Sequence, residues 1–90
     1  MIRLAELDFD EHNESELAVH HVSAYEVLQI LGNTYTLRRN KKNRSGERQL
    51  IGTTDGGRIL TISLAPTDDP NRWRPVTAWD STADERKALS

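Results

Sequence analysis

Residues 48–64 read RQLIGTTDGGRILTISL, two runs of strand-forming residues joined by Asp55-Gly56-Gly57. An Asp-Gly-Gly stretch between β-branched and aliphatic runs supplies the positive-φ residues that a tight β-hairpin turn needs. In the second run Leu60, Ile62 and Leu64 fall at alternate positions, so they share one face and give the sheet an apolar side. That side has to be covered by something.

Covering elements are legible upstream. Ser23 and Glu26 form an S-x-x-E capping box, with Val22 and Val27 placed as a hydrophobic staple around it. Val27, Leu28, Ile30 and Leu31 then make a broad apolar face, and Gly32-Asn33 is expected to close the helix in a left-handed conformation. Before it, Asp10 and Asn13 are good N-caps, Asn13 is followed three residues later by Glu16, and a short helix is expected from about residue 13 to 20. Only His20-His21-Val22 connects the two helices, a tight corner. IRLAELDF (2–9) reads as a short edge strand or an irregular lead-in.

Around the hairpin, TYTLRR (34–39) has strand propensity and runs into the polar, basic loop NKKNRSGER. Beyond it, APTDDPNR is a loop and WRPVTAW (73–79) a further strand, which Pro75 pushes toward an edge or a bulge. Thr82 and Glu85 form another capping box, opening a short C-terminal helix. The expected fold is α+β. Two N-terminal helices, with or without a short strand before them, pack on one face of an antiparallel three- to four-stranded sheet, and a short C-terminal helix follows. Ninety residues make one domain, 1–90.

Composition narrows the function. There is no cysteine, so disulfide frameworks and thiolate zinc sites are excluded, and a cytoplasmic setting is expected. No apolar run approaches the ~20 residues of a membrane span, and the N-terminal stretch has too short an apolar core for a signal peptide. His12, His20 and His21 lie among several carboxylates, but their spacing matches no H-E-x-x-H, EF-hand or Cys/His pattern, and no cofactor is implied. The hairpin turn is not a strand-to-helix phosphate loop, and no G-x-S-x-G occurs.

Charge is unevenly spread. The net charge is −2, yet residues 1–37 carry a balance of −6 and residues 38–74 a balance of +5. Arg38, Arg39, Lys41, Lys42, Arg44 and Arg48 form a dense basic stretch, and Arg58, Arg72 and Arg74 follow. A basic face suits phosphates or an acidic protein partner, and ordinary solvated charge is the plainer alternative. Tyr35, Trp73 and Trp79 are available to stack on unpaired bases, although at least one tryptophan is expected in so small a core. RNA can be cleaved without metal when one group takes the 2′-hydroxyl proton, another protonates the leaving oxygen, and cations stabilise the phosphorane.

Taken in order, NESELAVHHVSAYEVLQIL (13–31), LIGTTDGGRILTISL (50–64) and RPVTAWDSTADERKAL (74–89) resemble the BrnT-type toxins of bacterial type II toxin–antitoxin systems. That resemblance implies a RelE-like ribonuclease fold, inhibition of translation by RNA cleavage, and neutralisation by a ribbon-helix-helix antitoxin. Contact with DNA would come only through that antitoxin, and no membrane is involved. By position it implies His20 as proton-transfer group with Arg58 and Arg74 on phosphate, and matches Thr77-Ala78 and Glu85-Arg86 to the family's pairs. RNA or the partner would meet Arg38, Arg39, Lys41, Lys42, Arg44, Arg48 and Trp79. The chain departs from the pattern at Glu16, where the family has a basic residue or histidine, at His21, where it has glycine, and at Trp79, where it has arginine. No tyrosine follows Glu85-Arg86. The Glu16 and Trp79 departures favour an alternative, a non-enzymatic interaction module that docks a protein through its basic surface. Direct DNA binding by the basic loop is a third reading.

Overall fold

The computed structural model describes residues 6–39 and 48–89. Its elements are β1 (Glu6–Leu7), α1 (Glu11–Val19), α2 (Ala24–Leu31), β2 (Tyr35–Arg39), β3 (Arg48–Thr53), β4 (Ile59–Pro66), β5 (Arg72–Asp80) and α3 (Ala83–Lys87). The strands form one sheet in the order β1-β5-β4-β3-β2. Strands β2 to β5 are antiparallel neighbours, and the two-residue β1 adds a parallel edge beside Arg72 and Trp73. The fold is α+β, with two N-terminal helices, a four-stranded antiparallel sheet and a short C-terminal helix.

Register fixes the two faces of the sheet. Leu50, Ile62 and Ala78 stand side by side, and Leu60 and Leu64 flank them on the same face of β4. These side chains, with Trp73, are buried against Leu17 of α1, Val22 of the corner, and Val27 and Ile30 of α2. Close approach of α2 requires Gly52 in β3, because a Cβ there would collide with Ile30 Cγ2 and press on Tyr35 Cβ. Thr61 and Trp79 point to the opposite face, where both donate to Glu85 of α3. The C-terminal helix therefore lies across the sheet from α1 and α2, giving three layers where the sequence suggested helices on one face.

Local chemistry shifts three expected details. Helix α1 starts at Glu11, two residues before the expected boundary, because Asp10 accepts from the Asn13 N–H at 2.9 Å while the Asn13 side chain accepts from the Asp10 N–H at 2.8 Å. This reciprocal cap uses Asn13 as its inner member and leaves Glu16 free on the helix surface. At the end of α2, Gly32 has φ −89°, and Gly32 and Asn33 donate to the carbonyls of Gln29 and Ile30 in a tightened last turn. Positive φ occurs instead at His21 (58°), and in the hairpin turn at Gly57 alone (89°). Pro75 does mark an irregularity, since the β4–β5 register shifts between Ser63 and Leu64, opposite residues 75–77.

Candidate functional site

The connection between the helices is a Schellman turn. His21 donates its backbone N–H to Ala18 at 2.9 Å and Val22 donates to Leu17 at 3.0 Å, with His21 in the left-handed region. Val22 and Leu17 are both buried, completing the motif's hydrophobic contact. The His20 and His21 side chains are exposed.

Arg58, at the head of β4, is the hub of this corner. Its Nη1 donates to the His21 carbonyl at 2.8 Å and to both oxygens of Glu26, at 3.1 and 2.9 Å. Its Nε and Nη2 donate to Asp80, at 3.3 and 3.1 Å. Of the five N–H groups of a guanidinium, these contacts leave one over. Glu26 first, then Asp80, holds the guanidinium firmly charged. Arg58 thus ties α2, the corner and the end of β5 together.

Arg74 stands elsewhere. Its Nη1 meets Asp10, the α1 N-cap, at 2.6 Å, and this contact draws the Asp10 carboxyl down to about 2. Asp10 and His20 sit at opposite ends of α1, about 15 Å apart at the helical rise per residue. Along β5, Arg74 is about 20 Å from Asp80, the partner of Arg58. The structure therefore brings His20 and Arg58 to one end of α1 and places Arg74 at the other, too far for the three to share one phosphate.

Arg74 opens instead into a cleft of about 390 Å³ between α1 and β5, lined by His12, Asn13, Glu16, Arg74, Pro75, Val76 and Thr77. His12 and Glu16 are four residues apart on α1, so they are neighbours on one helical face. Asn13 between them is buried, and its Nδ2 donates to the Asp8 carbonyl at 2.8 Å, fixing the start of the helix. Opposite, β1 pairs no further than Trp73, and the register shift lies beside Pro75 to Thr77. His12 was visible in the sequence as a histidine among carboxylates. Its company with Arg74 depends on a contact between elements more than 50 residues apart and has no local signal.

Of the remaining sequence-derived residues, Arg38 donates through Nε to Gln49 at 2.8 Å and lies 3.8 Å from Asp84. Arg39 is exposed. Arg48 is at the start of β3 and has an interaction partner. Trp79 is half-buried with its indole N–H on Glu85 at 2.9 and 3.2 Å, so it braces α3. Lys41, Lys42 and Arg44 lie outside the described residues. Trp73 is the tryptophan of the core. Among the described residues no group of three or more His, Asp or Glu side chains is placed to hold a metal ion, and no helix is long and apolar enough to cross a membrane. Comparison with protein-family models and with characterised proteins returns no match.

Proposed function

We propose that the chain is the toxin-type member of a toxin–antitoxin pair, a BrnT-like domain that acts on RNA without a metal and is neutralised by a protein partner. One observation carries the reading. The two segments of the resemblance that lie furthest apart in sequence, Asn13–Glu16 and Arg74–Thr77, line the same cleft. A guanidinium, an imidazole, a carboxylate and a hydroxyl face one another there, a set suited to a phosphodiester. The α+β arrangement of helices on an antiparallel sheet is what a RelE-like fold requires.

The test is induction of the chain in a bacterial host with and without its neighbouring open reading frame. Translation and growth are expected to stop with the chain alone and to recover with the neighbour. Undisturbed growth, together with no RNA binding by the purified protein, would sink the proposal. A second reading, a binding module without catalysis, is favoured by the almost full commitment of Arg58 to Glu26, Asp80 and the His21 carbonyl. Tight co-purification of a partner with no RNA cleavage would select it.

A further inference from the structure

We infer that the acid–base pair for RNA cleavage is Glu16 and His12, with Arg74 as the phosphate-binding cation, and that the His20 corner is not the place of the chemistry. This rests on the RNA-directed reading above. The inference starts from which groups share a cavity. Neither His20 nor Arg58 lines the α1–β5 cleft, whereas His12, Glu16 and Arg74 all do.

Each group suits a separate task. Arg74 meets Asp10 through Nη1 and also lines the α1–β5 cleft, so its guanidinium is held at the cleft wall. Asp10 is itself locked by the Asn13 cap, and a guanidinium held this way is oriented before any ligand arrives. Asp10 pairs with Arg74 and Asp8 acts on it as well, so the charged and titratable groups around the cleft are Asp8, Asp10, Arg74, Glu16 and His12. The i, i+4 spacing sets the two side chains side by side on one wall, with Arg74 opposite. Glu16, a departure from the family pattern, thereby gains a use.

The reaction balances without water or metal. Glu16 takes the proton of a ribose 2′-hydroxyl, and O2′ forms a bond to phosphorus. The P–O5′ bond breaks, and the His12 imidazolium gives its proton to the departing O5′. The products are a 2′,3′-cyclic phosphate and a 5′-hydroxyl, and proton exchange with solvent restores both groups. Arg74 stabilises the charge on the non-bridging oxygens as the phosphorane forms. The volume admits about one nucleotide, and in-line attack by the 2′-oxygen needs an unstacked backbone, so the substrate is single-stranded RNA.

The experiment incubates the full chain with an end-labelled single-stranded oligoribonucleotide in excess EDTA, beside a DNA of the same sequence. Wild type is expected to leave 2′,3′-cyclic phosphate ends on RNA and to spare DNA. His12→Asn and Glu16→Gln should each lower the single-turnover rate at least about a hundredfold while RNA affinity stays within threefold. Glu14→Gln, on the same helix but outside the cleft lining, should cleave as wild type does. A bell-shaped pH–rate profile should lose its acidic limb in Glu16→Gln. Thermal melting of each variant checks folding. Cleavage within threefold of wild type by both cleft variants overturns the assignment and leaves the RNA-directed function standing. RNA binding without cleavage by wild type also overturns it, and neither binding nor cleavage overturns both.

Discussion

His21 holds a left-handed backbone, φ 58°, that most residues with a Cβ avoid, at the position that closes α1. Substituting glycine there sets two effects against each other. A non-glycine residue in this region costs about 1–2 kcal/mol, which His21→Gly removes. Glycine also has more freedom in the unfolded chain, which returns about 0.5–1 kcal/mol to the debit side. Nothing else changes in the Schellman turn, because its bonds run from backbone N–H groups and its apolar contact belongs to Val22 and Leu17. The His21 carbonyl that receives Arg58 is kept as well. The net expectation is a gain of about 0.5–1 kcal/mol, a rise in Tm of roughly 2–8 °C for a domain of this size. His21→Ala should be nearly neutral, since alanine is strained as histidine is, and His21→Val should lose stability because β-branching worsens the clash. Thermal and urea melts of the three variants decide it. A glycine variant no more stable than valine would refute the argument from φ and point to a tertiary role for the imidazole.

Three further outcomes are expected. Gly52→Ala forces a Cβ into Ile30 Cγ2 and should lower stability by about 1–3 kcal/mol in urea denaturation, with Ile30→Ala in the same chain giving less than the summed loss. Glu85 is buried and accepts from Thr61, Trp79 and the Thr82 N–H; Glu85→Gln, which turns an NH₂ toward these donors, should cost about 1–3 kcal/mol by the same assay. Burial alone would raise the Glu85 carboxyl, but the bonds it accepts outweigh burial and hold it below the usual range. Its stabilisation is thus complete above the unfolded-state value and fades as pH falls through the folded one, so Glu85→Gln should flatten that acid limb in melts taken across pH. The Asp10 carboxyl, drawn to about 2 by Arg74, keeps its ion pair until the pH falls well below that of an ordinary aspartate; Arg74→Gln should move its titration, followed by NMR, back up toward 3.8.

How much of this was legible depended on how local the physics was. The capping boxes at Ser23 and Thr82 involve residues three apart, and both form with the predicted partners. Pro75 announced an irregular β5 because its missing N–H acts at its own position. The start of α1 was misplaced because Asp10 and Asn13 are both good caps, and only the reciprocal bond between them decides. The left-handed residue was expected at Gly32-Asn33, where composition favours it. Instead, Asn33 donates its side-chain amide to the Thr53 carbonyl and to Asp55, fixing the end of α2 against the hairpin without positive φ. The strain then fell on His21, where the chain has to turn sharply to bury Val22.

The site was less legible because its determinants are long-range. The sequence divides its charge, acidic through residue 37 and basic through residue 74, which suggested a basic face. Folding joins the two halves at the described arginines that matter most: Glu26 meets Arg58 at 2.9 Å, and Asp10 meets Arg74 at 2.6 Å. Both carboxylates lie in the first turn or cap of a helix, so a local need, a negative group at a helix N-terminus, supplies each arginine's partner. The consequences differ because the geometry does. Glu26, Asp80 and a carbonyl surround Arg58 on three sides and make it a brace, whereas Asp10 holds Arg74 from one side and leaves it facing a cleft. Position along the chain marked these arginines as equivalent; what each guanidinium meets in the fold, three partners for Arg58 and a cleft wall for Arg74, separates them.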